Sequence, residues 1–111
     1  MSALDPDKLK MFSFLLFTKL EGAVTSGMVH LGDQLGLYSA LAQSEIPMTT
    51  TQLAHATQLT ERWVREWAYN QASARLISVN NTPSDIPAIE DDQFFLSQAT
   101  IVLLLIGFGV L

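Results

Sequence analysis

Two helix starts placed eleven residues apart constrain this chain more than any other feature. In Met48-Thr49-Thr50-Thr51-Gln52-Leu53, Thr49 can cap a helix while Gln52 reaches back to it, and Met48 and Leu53 stand at the two positions of a hydrophobic staple. The pattern returns at once: Thr60 caps, and Leu59 and Val64 take the staple positions. Only a short helix, to about Ala56, and the turn Thr57-Gln58-Leu59 fit between the two starts. That is a helix-turn-helix. Beyond it, "LISV" (76–79) reads as a strand, "NNTPSDIPAIEDD" (80–92) as a polar loop and "QFFLS" (93–97) as a returning strand. The expected fold is mainly α, a winged helix-turn-helix with a small two-stranded β wing.

Upstream, "LDPDKLKMFSFLLFTKL" (4–20) opens a helix, with Asp5 as cap, Pro6 in the first turn and Asp7 at the positive end of the dipole. Its apolar positions run almost all round, so it needs a partner surface. Burial of Phe12, Phe14 and Phe17 against a neighbouring helix is expected, with the lining of a substrate pocket as the other reading. Next comes "LEGAVTSGMVHLGDQLGLYSALA" (20–42), where Leu20, Val24, Gly27 or Met28, Leu31 and Leu35 recur at the helical period. Gly22, Gly27 and Gly32 weaken that second helix by about 1 kcal/mol each relative to alanine, but allow close backbone approach. Gly36 reads as its stop, followed by the apolar Leu37 and one further turn. The expected divisions are an N-terminal apolar helix (1–19), a winged-helix dimerisation domain (20–98) and an apolar tail (99–111).

The helix after Thr60 is where a DNA reader would carry its bases-facing side chains. Val64, Trp67, Ala68 and Ala72 share one face with Trp63 at its edge, so both tryptophans are expected in the core. Glu61 precedes Arg65 by four residues and Arg62 precedes Glu66 by four, pairing each cation within the helix. The loop that follows is acidic, with Asp85, Glu90, Asp91 and Asp92. Six Lys and Arg against eleven Asp and Glu give a net charge of -5, the wrong sign for displacing counterions from phosphates. No nucleic-acid partner is expected.

"LEGAVTSGMVHLGDQLGLYSALA", "MTTTQLAHATQLTERWVREWAYNQASARLISV" and "FFLS" together resemble the N-terminal winged-helix domain of class I S-adenosylmethionine-dependent methyltransferases, of the orphan mycobacterial-type group. "LGDQLGLYSAL" and "LTERWVREW" are the most telling blocks, and the similarity covers about residues 14 to 98. The resemblance implies a domain that dimerises and helps to close the substrate pocket of a Rossmann-like catalytic domain. It also implies S-adenosylmethionine as cofactor of the full-length enzyme and a homo-oligomer formed through the N-terminal helices. That catalytic domain would need a Gly-rich strand-to-helix turn and an acidic ribose partner. Gly107-Phe108-Gly109, two residues from Leu111, is not such a turn, so no cofactor is expected on this chain. After Ser97 the sequence leaves the family pattern for "QATIVLLLIGFGVL", and a truncated, mis-spliced or frame-shifted product, catalytically inert, is the expectation, with a natural short form as the alternative.

No catalytic, cofactor-binding or metal residue stands out. His30 and His55 fall on different helices without a cysteine or second carboxylate to complete a ligand set, and the chain has no cysteine at all. "MFSFLLFT" follows Lys8 and Lys10 as in a signal sequence, yet Asp5 and Asp7 precede it and no small-residue cleavage site follows, so a cytoplasmic location is expected. Asn80-Asn81-Thr82 is a glycosylation sequon only in a secreted chain. Ile101 to Leu111 is shorter than a bilayer span of roughly 20 residues, so membrane contact is not expected, the tail being the one segment where a tether would lie. Two rival functions stay open: a small winged-helix transcription regulator and a tail-anchored interaction module.

Overall fold

The computed structural model describes residues 3–80 and 92–108, and only the backbone of 104–108. Helix α1 (Pro6–Gln34) is followed by α2 (Leu37–Gln43), strand β1 (Met48–Thr49), α3 (Thr50–Thr57), α4 (Glu61–Ser73), β2 (Ser78–Asn80), β3 (Gln93–Phe95) and α5 (Gln98–Phe108).

The first helix starts as its sequence dictates, with Asp5 Oδ1 accepting from the Asp7 N–H at 3.0 Å and Pro6 in the first turn. It does not stop near Lys19. The two expected helices are one continuous rod of 29 residues, because nothing between Lys19 and Leu20 can cap or break it and isolated glycines only weaken a helix. It ends at Leu35, and Gly36 takes the left-handed conformation (φ 75°) that turns the chain into α2.

The capping box at α3 forms: Thr49 Oγ1 accepts from the Gln52 N–H at 3.2 Å, and Gln52 Oε1 accepts from the Thr49 N–H at 2.9 Å. Gln58 then adopts a left-handed conformation (φ 58°), and the Leu59 N–H closes on the Ala54 carbonyl at 3.0 Å. Thr60 stands at the N-cap of α4, but its side chain makes no capping bond; Glu61 supplies negative charge to that first turn instead.

The sheet has three antiparallel strands in the order β1-β3-β2, one more than expected. Met48 pairs with Phe94 and Thr49 with Gln93, while Val79 pairs with Phe94 from the other side. The residues that start the capping box therefore also finish the sheet, which fixes the helix-turn-helix to the wing. Most of the connecting loop, including Asn81, Thr82, Asp85, Glu90 and Asp91, lies outside the described residues.

The core sits where α2, α3, α4 and the sheet converge: Tyr38, Leu53, Val64, Trp67, Ala68 and Phe94 are all buried. Tyr38 meets Trp67 edge-on with ring centroids 5.1 Å apart, and Tyr69 meets Phe94 likewise at 5.3 Å. The Tyr38 hydroxyl donates to Oε1 of the buried Gln71, so a polar pair is satisfied inside an apolar core.

Residues 99–108, expected as a tail outside the fold, belong to α5, whose first turn docks. The Thr100 hydroxyl donates to the Leu76 carbonyl at 3.1 Å, the Thr100 N–H donates to Ser97 Oγ at 3.2 Å, and Ile101 packs on the core. Among the described residues no helix is long and apolar enough to cross a membrane.

Candidate functional site

Three surfaces could carry function: the outer face of α4, the N-terminal half of α1, and a cleft between α1 and α5.

On α4 the helical period divides the residues cleanly. Val64, Trp67, Ala68 and Gln71 point inward, and the outward side carries Arg62, Trp63 and Glu66. The sequence expectation fails for one tryptophan of the pair. Trp63 is 67% exposed because the core seam of α4 is one residue wide at that turn, and Val64 fills it. Glu61 accepts from the Thr50 hydroxyl at 2.9 Å, a bond that ties α4 to α3, and lies 3.9 Å from Arg65 Nε one turn along its own helix. Arg62 lies over the Trp63 ring, 5.5 Å from its centroid. This face balances two cations against two carboxylates and presents an aromatic ring, not a set of free donors aimed at base edges. Asp92, the one acidic wing residue described, accepts from the Tyr69 hydroxyl.

The N-terminal half of α1 projects from the body. Phe12, Phe14, Leu16, Phe17, Leu20 and Val24 are exposed, the phenylalanines at 14 and 17 by 69%. The expected burial of Phe12, Phe14 and Phe17 against a neighbouring helix does not occur, for the helix that would have folded over them is their own continuation. The helix nears the body at a groove that Phe17, Leu20 and Val24 border together with Asn70 and Ser73 of α4 and Ala74 just beyond it. Contact closes fully only at Gly32, the buried residue of α1 among those described. A Cβ there would lie 2.6 Å from the Trp67 ring and 2.7 Å from that of Tyr38. The Trp67 indole N–H donates to the Met28 carbonyl at 2.9 Å.

The cleft has a volume of about 450 Å³. Ser26, Val29, His30 and Asp33, spaced by helical turns on α1, form one wall. Tyr38, Leu76, Thr100 and Leu103 close the floor and the opposite side. Sequence reasoning missed this grouping because its second wall comes from elements far along the chain; the only local signal was the polar stripe at 26, 30 and 33. Burial pushes the Tyr38 phenol up to about 12, with the Asp33 carboxylate adding to the rise. His30 and His55 are both exposed, on α1 and α3 respectively. Among the described residues no three His, Asp or Glu side chains gather as a metal site would require.

The family model of the Rv2258c-like winged HTH domain matches residues 23–86. Solved structures of the same fold include human N-acetylserotonin methyltransferase in complex with SAM, at a TM-score of 0.68 and 16% identity over 91% of this chain. LepI in complex with SAM follows at a TM-score of 0.60 and 22% identity over 83% of this chain. The chain spans only 26% of the length of the first and 21% of the second. Staphylococcus aureus MarR, in complex with salicylate and kanamycin, aligns at a TM-score of 0.51 and 16% identity, covering 87% of this chain and 65% of its own. At such identities the likeness is one of fold. No curated protein sequence matches the chain.

Proposed function

The chain belongs to the Rv2258c-like winged HTH domain family, and on that premise we propose that it is the N-terminal dimerisation and substrate-lid domain of an S-adenosylmethionine-dependent methyltransferase. By itself it is catalytically inert. The observation that carries the reading is the bare half of α1. From Leu9 to Val24 its large apolar side chains expose on the order of 1,000 Å², more than a monomer's usual largest patch and about what one partner contributes to a stable interface. A second copy presenting the same helix is the occupant that needs no other molecule. In this reading the domain works in the cytoplasm and gives a methyltransferase its pairing surface and apolar walls, leaving reacting groups to the catalytic domain.

Sedimentation of the 111-residue chain at tens of micromolar tests the pairing, since specific interfaces are filled in that range. A dimer that Phe14→Ser with Phe17→Ser returns to monomer is expected; a parent chain that stays monomeric overturns it. Calorimetry with S-adenosylmethionine is expected to show no saturable binding, because no Gly-rich cofactor turn exists among the described residues.

The rival reading, a winged-helix regulator, draws on the likeness to MarR over most of both chains. The balanced outer face of α4 and the net charge of -5 speak against it. Duplex retardation at physiological salt that is lost in Arg62→Ala would establish the regulator in its place.

A further inference from the structure

We propose that the cleft between α1 and α5 is a binding site for small amphipathic amines, molecules with an apolar ring system and a protonated amino group that seats against Asp33. The site lies wholly within this chain and stands whether or not a methyltransferase domain accompanies it.

Size and lining set the ligand class. About 450 Å³ falls in the range of small-molecule pockets, too large for a few waters and too small for a peptide segment. Val29, Leu76 and Leu103 give apolar walls for a ring, and the edge of Tyr38 forms the floor. The polar groups are few and on one side. Ser26, His30 and Asp33 follow one stripe of α1, and among the lining residues none is Lys or Arg. Asp33 is half-buried and accepts one long hydrogen bond, from Gln34 Nε2 at 3.5 Å, which leaves its carboxylate with acceptor capacity. Its charge is felt inside the cleft, since it helps to raise the Tyr38 phenol. A carboxylate at the edge of an apolar cavity favours a cation and repels an anion of the same shape. The Thr100 hydroxyl gives its proton to the Leu76 carbonyl, and as a neutral acceptor it attracts an ammonium less strongly than the Asp33 carboxylate does, so the amine end is oriented toward α1.

The experiment is a calorimetric titration of the full chain at mildly alkaline pH with 2-(1-naphthyl)ethylamine and, in parallel, 1-naphthylacetate. The amine is expected to bind saturably and the carboxylate at least tenfold more weakly, the factor that one charge-assisted hydrogen bond supplies. Asp33→Asn keeps the shape of the side chain and is expected to weaken amine binding about tenfold with the melting transition unchanged. Ser26→Arg, at an exposed position of the same wall, brings a cation to the cleft and is expected to abolish amine binding; it decides the matter should Asp33→Asn fail to fold. Equal binding of amine and carboxylate overturns the proposal. So does amine affinity unchanged in both variants, or the absence of saturable amine binding by the parent chain.

Discussion

The two halves of α1 belong to one unbroken helix and meet opposite fates. From Leu9 to Leu20 the helix carries leucine and phenylalanine on nearly every side and buries none of them fully. From Met28 to Leu35 the sequence is less apolar, yet there the helix packs against Trp67 and Tyr38 and places a backbone carbonyl within reach of an indole N–H. Hydrophobicity created a demand for cover in the first half. Complementary shape, a missing side chain at Gly32 opposite two rings, satisfied it in the second. Helix formation is local and cooperative, whereas burial needs a partner in space, and only one end of a rod of 29 residues reaches the body.

The widest test of that contrast sets Trp67→Ala against Phe14→Ser with Phe17→Ser. Loss of the Trp67 indole removes its packing, the Tyr38 contact and the bond to Met28, and is expected to cost about 3–5 kcal/mol in thermal or denaturant unfolding. The double phenylalanine variant should leave the monomer's melting transition in place and reduce association alone. If both unfold the chain equally, the N-terminal half is core and the contrast is broken.

Next come the glycines of the same helix. Gly32→Ala drives a Cβ into two buried rings and should destabilise by about 1–3 kcal/mol. Gly27→Ala meets nothing within 4 Å and should stabilise by about 1 kcal/mol through helix propensity. A Gly27→Ala chain that melts higher as a monomer but pairs less well would sharpen the picture, locating the close approach of a second copy at Gly27.

Tyr38→Phe probes the packed end by its polarity. Below pH 10 the variant should lose about 1–3 kcal/mol, because Gln71 keeps its buried amide without the phenol that donates to it. Above pH 10 that gap narrows. An unfolded tyrosine ionises near 10, whereas the folded one holds its proton to about 12, so the parent loses stability as pH rises between these values. The variant's alkaline limb should be correspondingly flatter in pH-dependent denaturation curves.

The smallest effect belongs to Trp63→Ala. An exposed ring beside Arg62 should change monomer stability by less than about 0.5 kcal/mol, in contrast to its neighbour one turn on. A large loss, read by the same unfolding curves, would mean that the outer face of α4 is covered.

Much of the winged helix was legible in the residues. Thr49 and Gln52 make the reciprocal bonds that their spacing implied, Gly36 ends α1 as a glycine should, and the apolar faces of α3 and α4 follow the helical period. The third strand was not legible: Met48 and Thr49 become a strand only because β3 lies beside them. The cleft was hidden for the same reason, since Asp33 and Thr100 are brought to one cavity by the docking of α5.

What the sequence determined alone was therefore whatever depends on neighbours in the chain: where helices begin and turn, the charge that disfavours a phosphate backbone, and the want of cover along residues 9–24. Tertiary structure decided which of two tryptophans is buried, which of three glycines is indispensable, and which carboxylate faces a cavity. Those outcomes rest on contacts between residues tens of positions apart, and side-chain volume in three dimensions, not periodicity, selects among candidates that look alike in one dimension.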